Sequence, residues 1–207
     1  METKNIYALW SATFENAIFK DLKQCFSIVI EQYTHPNRYY HNLNHIGNLI
    51  SQIESLSLPK ENKAILLSVA LFHDVIYISG SKNNERKSAE FASYWLSKLN
   101  FCTIKSRMIC NIIRSTNTHE SSDELTQLFL DLDLSILGGN EEEYLEYIGQ
   151  IRKEHIQIPN YLYKIGRKRF LNQMLSREFI FSTSEYYRDF EKIARKNLNN
   201  ELKALNK

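Results

Sequence analysis

The chemistry of this 207-residue chain centres on His73-Asp74, which closes the apolar run Leu66-Leu67-Ser68-Val69-Ala70-Leu71-Phe72. An imidazole beside a carboxylate, carried by a buried helix, can hold a hard or borderline metal ion. The carboxylate would be costly to bury unless it coordinates or is paired. Upstream stands Arg38-Tyr39-Tyr40-His41-Asn42-Leu43-Asn44-His45, and downstream Leu130-Asp131-Leu132-Asp133-Leu134-Ser135. On a helix, His41 and His45 would share one face, one turn apart. Pro36 just before them places the pair at a helix start. Either both ligate, or one ligates and the other transfers a proton, a task imidazole suits near neutral pH. Asp131 and Asp133 would lie about 200° apart around a helix, so only one of them can face a site. Together these residues form a mixed nitrogen and oxygen set without thiolate. Such a set suits Mn, Mg, Fe, Co or Ni with waters left over, and Zn is compatible. Open coordination positions are what would make the centre catalytic.

Other residues could serve such a centre. Arg38 could fork onto a pair of phosphate oxygens, or form a surface ion pair. From Arg152 to Arg177 the chain holds seven Lys/Arg against one Glu, with Lys164, Arg167 and Lys168 on one helical face. Lys164 and Arg167 are therefore candidates to steer or bind an anionic substrate, against the plainer reading of a solvated face. Tyr161, Tyr163, Phe170, Tyr186 and Tyr187 could stack on a base or fill a core. His35 and His155 read as residues outside any site.

The elements that must position these groups are helices. Only 6 Gly and 3 Pro occur, and apolar residues recur at helical spacing, so the chain reads as all-α. Helices are predicted near 5–19, 21–33, 43–57, 61–76, 84–99, 104–117, 123–137, 141–157, 160–176 and 184–205. His35-Pro36-Asn37 and Leu58-Pro59 break the pattern because the residue before proline disfavours the α region. Ser79-Gly80-Ser81 and Gly138-Gly139-Asn140 are loop signals. Ser122-Asp123 and Ser184 can cap the helices that follow them. The reading is one domain over 1–207, with a metal-site core near 35–140 and helices from 141–207 packed on it.

A net charge of +2 gives no general affinity for polyanions, and nothing resembles a nucleic-acid-binding motif. Cys25, Cys102 and Cys110 lack metal spacing. Each lies in an apolar stretch, so all three are expected to be buried thiols of a reducing compartment. No apolar stretch approaches the roughly 20 residues a membrane span needs, and Met1-Glu2-Thr3-Lys4-Asn5 opens no signal-peptide pattern. A cytoplasmic protein is expected, and a homodimer through exposed helices is a reasonable expectation.

His, His-Asp and Asp in this order match the ligand order of the HD superfamily of metal-dependent phosphohydrolases, which the chain resembles. The phrase around His41 is similar to the start of the catalytic region in cyclic-nucleotide phosphodiesterases of that superfamily. A group of predicted metal-dependent HD phosphohydrolases shares Arg-Tyr-Tyr-His, Phe-His-Asp, Asn84-Glu85 with Ser88-Ala89, and Asp-x-Asp-Leu-Ser. The resemblance runs over about residues 7–181. It implies an HD-domain helical bundle of about 8–10 helices. It also implies His45, His73, Asp74 and Asp133 as ligands of one or two ions, with Asp74 bridging if there are two. His41 becomes the general acid, and Asp131 is left solvent-facing or orienting an imidazole. Glu85 resembles the acidic residue that helps activate water in related nucleotidases, although a helix-start carboxylate is the plainer reading. His119 matches the extra histidines of two-metal members, as a ligand or a substrate contact. The implied function is hydrolysis of a small, nucleotide-like phosphoester by a metal-activated water. The alternatives are a phosphodiesterase acting on a cyclic nucleotide or dinucleotide, and a metal- or nucleotide-binding module without turnover.

Overall fold

The computed structural model describes residues 3–15 and 17–206. Met1 and Glu2 of the opening phrase, Asn16 of the first expected helix, and Lys207 lie outside the described residues. Ten α-helices occur among the described residues, with no strand. They are α1 (Thr3–Thr13), α2 (Phe19–Tyr33), α3 (Leu43–Ser55), α4 (Lys60–Phe72), α5 (Asn84–Lys98), α6 (Thr103–Ser115), α7 (Glu124–Leu134), α8 (Glu141–Glu154), α9 (Asn160–Ser176) and α10 (Ser184–Leu205). A 3₁₀ turn, Ser135–Gly138, follows α7. No helix among the described residues is long and apolar enough to cross a membrane. The chain divides into two compact units, 1–121 and 122–207.

In the first unit α4 is the core helix, as its sequence predicts. Every residue from Ile65 to Phe72 is buried, and α1, α3, α5 and α6 pack around it. Trp10 anchors one end of this core, its ring against Phe14, Phe26 and Phe72. The helix expected over 5–19 stops at Thr13, because Phe14 turns inward onto Trp10 and Phe101. Likewise α4 stops at Phe72 instead of 76. Beyond it the backbone peels away, and side chains rather than the next helical turn meet its polar groups. Asn42 starts α3 by accepting from the Asn44 amide.

In the second unit buried polar side chains hold the irregular segments. Asn197 of α10 donates to the carbonyls of Leu137 and Gly139. Gly138 is required there, since a Cβ would lie 2.6 Å from that of Phe190. A capping box of Asn140 and Glu143 starts α8, and Asp123 starts α7 by accepting from the Thr126 amide. Arg152 ends α8 early by donating to the carbonyls of His155 and Ile158. Thr183, not Ser184, is the residue preceding α10.

Two sequence expectations are corrected here. Asp131 is neither solvent-facing nor set behind an imidazole. It is 1% exposed and accepts from the Ser182 and Thr183 amides and the Thr183 hydroxyl. It therefore fastens the entry to α10. Burial pushes its carboxyl above the usual range, against the pull of those hydrogen bonds. Cys102 is exposed, while Cys25 and Cys110 are buried as expected. Cys102 is the residue preceding α6, where the amides of Lys105 and Ile104 lower its thiol pKa. Burial raises that of Cys25 and Cys110.

Candidate metal centre

Three side chains of the first unit converge: His45, His73 and Asp74. His45 enters from the first turn of α3 and His73-Asp74 from the end of α4. His73 Nδ1 lies 3.0 Å from the Ala70 carbonyl oxygen. That oxygen can only accept, so the contact places a ring proton on Nδ1, and in the neutral ring Nε2 keeps its lone pair. His73 Nε2 in turn lies 3.3 Å from His45 Nε2 and 3.2 Å from Asp74 Oδ2. Nε2 of each imidazole and Oδ2 of Asp74 are all atoms of ligand type. A proton shared between the rings, or a cation among the three atoms, is compatible with these contacts. Separations of 3.2–3.3 Å fit adjacent corners of a coordination shell with bonds of about 2.1 Å. These three groups are of the kind that could hold a divalent ion.

Exposure rises across the cluster. The side chain of His73 is 1% exposed and that of Asp74 15%, and His41 is 20% exposed. His41 precedes α3 in a turn instead of sharing its face with His45, because Asn42 already caps the helix. Its Nε2 still comes within 3.8 Å of Asp74 Oδ2. The ring is stacked on Tyr77 at 4.3 Å and set edge-on to Tyr40. The buried imidazoles are thus fixed, while the carboxylate and a further imidazole stand toward solvent.

Arg38 holds these pieces together. It is 8% exposed, so it is not a surface ion pair. Nη1 donates to the carbonyls of His41 and Asp74 at 3.1 and 2.6 Å, and Nη2 to that of Val75 at 2.9 Å. Its guanidinium also lies over the rings of Tyr33 and Tyr77. The carbonyls left without partners where α4 ends are thereby satisfied. Tyr33 adds a hydroxyl that accepts from the Asp74 amide. From α5, Ser88 both accepts from the Ile76 amide and donates to its carbonyl, and Asn84 does the same for Ile78. The Arg-Tyr-Tyr-His and Asn-Glu phrases thus carry scaffold residues as well as candidate site residues. Tyr33, Tyr77, Asn84 and Ser88 had no role in the sequence reading. The readable signal was Asn84 and Ser88, polar residues four apart on the buried face of α5 beside Ala89 and Ala92.

The remaining candidates belong to both units. Glu85, in the first turn of α5, and His119, after α6, are half-buried and outside the three-residue cluster. His119 has a left-handed backbone, φ 54°, and donates its amide to the Ser115 carbonyl. Asp133 belongs to the second unit, half-buried on α7. Lys164 lines a cavity of that unit. Arg167 is not on an open face. It is 7% exposed, and Nε and Nη2 donate to the two carboxylate oxygens of Glu201 at 2.7 and 3.0 Å. Among the aromatics, Tyr163 and Tyr186 are buried, Phe170 lies against Arg167, and Tyr161 and Tyr187 are exposed. Comparison with protein-family models, with curated proteins and with solved structures finds no match.

Proposed function

We propose that this chain is a metal-dependent phosphohydrolase acting on a small phosphoester, nucleotide-like by its resemblance to the HD superfamily. One observation carries the reading. Two imidazole nitrogens and a carboxylate oxygen, all of ligand type, are gathered at one place. Among Mn, Mg, Fe, Co, Ni and Zn, a divalent ion held there would supply a Lewis acid and acidify a water. His45, His73 and Asp74 would hold it. His41, partly exposed and steadied by the face of Tyr77, is placed to give a proton to a departing oxygen. Substrate would approach from the side on which His41 and Asp74 are exposed. Arg38 keeps the His41 turn and the Asp74 turn at fixed separation, so it would position the site.

A second reading, a metal- or nucleotide-binding module without turnover, is favoured by that same commitment of Arg38 to backbone carbonyls. Elemental analysis of protein purified without chelator, beside His73→Ala, tests the centre. Assays on para-nitrophenyl phosphate and its bis-ester then separate monoesterase, diesterase and binding module. Stoichiometric metal with hydrolysis of either ester supports the first reading. Metal without turnover supports the second. Failure of all six ions to bind removes the chemical basis of both.

A further inference from the structure

The second unit carries a cavity that the metal centre does not use. Its volume is about 430 Å³, within the range of small-molecule sites, and all its lining residues come from 122–207. Its apolar wall is built from Tyr144, Leu145 and Ile148 of α8, Tyr163 of α9, and Ala204 and Leu205 of α10. Two cations also line it, Lys164 and Arg152. Neither has a carboxylate partner among the described residues. Arg152 gives one bond each to the carbonyls of His155 and Ile158, which leaves donors over, and lies 4.7 Å from the centre of the Tyr163 ring.

The acidic lining residues do not answer both cations. The charge of Glu201 is already met by the Arg167 guanidinium and by the Tyr144 hydroxyl, which donates to it at 2.6 Å. Glu141 is exposed at the start of α8. Arg152, Lys164 and Arg167 against Glu141 and Glu201 leave one positive charge. The Tyr163 hydroxyl is also buried without a hydrogen-bond partner, and such a group calls for an explanation. Burial raises its pKa, so it stays a neutral donor.

We propose that this cavity binds small amphipathic monocarboxylates, with the apolar body against α8 and α10 and the carboxylate held by Lys164 and Arg152. A single surplus charge suits a monoanion better than a phosphate dianion. The apolar wall matches the usual division of a ligand site into a hydrophobic body and a few placed polar groups. The inference is independent of the metal centre.

The test is an amide chemical-shift titration of the isotope-labelled full chain with octanoate, and with 1-octanol as the uncharged control. Octanoate should give saturable shifts at amides around Tyr144–Ile148, Asn160–Lys164 and Asn200–Leu205 below about 10 mM. Octanol should bind at least about fivefold more weakly, and Lys164→Glu should weaken octanoate by a similar factor without altering octanol. Ala204→Trp, which fills the cavity, should abolish both. Lys164→Glu lies on a partly exposed helical face, so it stays informative if the tryptophan variant does not fold. The proposal is overturned by no saturable shifts, by shifts elsewhere, by octanol binding as tightly as octanoate, or by Lys164→Glu leaving octanoate unchanged. It is also overturned if these amides broaden with protein concentration in the absence of probe. The surface would then be one that a second copy of the chain covers.

Discussion

Both units bury charged groups, but they balance them in opposite ways. In the second, Arg167, Glu201, Tyr144 and Tyr147 form a closed set. The guanidinium meets both carboxylate oxygens and the Tyr147 hydroxyl, and Tyr144 donates to the carboxylate. In the first, Arg38 is satisfied by carbonyls, while two imidazole nitrogens and a carboxylate oxygen confront one another. A closed set of donors and acceptors has its chemistry used up by the fold. A gathering of ligand-type atoms can hold a metal ion. Burial and charge alone would rank the two places equally. The kind of atom brought together separates a structural network from a candidate centre.

The comparison can be broken most directly at His73. His73→Ala should remove bound metal and lower phosphoester hydrolysis by at least about 100-fold, as loss of a key electrostatic group does. Added Mn should raise the melting temperature of the wild type and not that of the variant. His41→Ala should keep the metal and lose about 10²–10⁴-fold in turnover, the range of general acid–base catalysis. If Asp133→Ala also loses metal, the centre draws on more than residues 1–121. If it keeps full occupancy, His45, His73 and Asp74 suffice.

The closed network should respond in stability and not in metal. Glu201→Ala leaves a buried guanidinium unpaired and should cost about 3–5 kcal/mol in urea unfolding, at unchanged metal content. The double variant Arg167→Met, Glu201→Leu should cost less than either single change, because no buried charge remains. Arg38→Ala sits between the two cases. Stranding carbonyls should cost about 3 kcal/mol, and metal affinity should fall about 10–100-fold, as when support behind a ligand is lost. Arg38→Lys should recover only part of both, since an ammonium cannot fork. The smallest effect concerns thiols. Cys102 should react with a thiol-labelling reagent well before Cys25 and Cys110, because it is exposed and its pKa is lowered while theirs are raised. Mass spectrometry of partly labelled protein reads that order.

Most of the helical order was legible because periodicity and breakers are local. Pro36, Pro59 and the Gly138-Gly139 pair mark real ends, and α9 and α10 span the expected residues. His73 and Asp74 could be singled out because a polar pair closing an apolar helix is unusual within the sequence itself, and His45 through the resemblance. Less legible were features fixed by distant partners. Nothing near Arg38 in sequence indicates that its guanidinium meets carbonyls 36 and 37 residues away. Asp131 reads as one of two alternating acids until the backbone of Ser182 and Thr183 arrives above it. The helical face of Arg167 is readable, but the burial of that face by α10 is not. Cys102 follows an apolar stretch, and only the turn into α6 leaves it outside.

The hydrogen bond from His73 to the carbonyl of Ala70 carries a kinetic meaning. Its two partners are three residues apart, so the ring can take its direction as soon as α4 forms, on the microsecond scale of helix growth. His45 comes from 28 residues upstream, behind a turn that Arg38 ties to the carbonyls of Asp74 and Val75. The two arms of the centre therefore depend on contacts of different range. One arm is set locally, and the other is delivered by tertiary docking, so the gathered donor set exists only once this part of the core has formed.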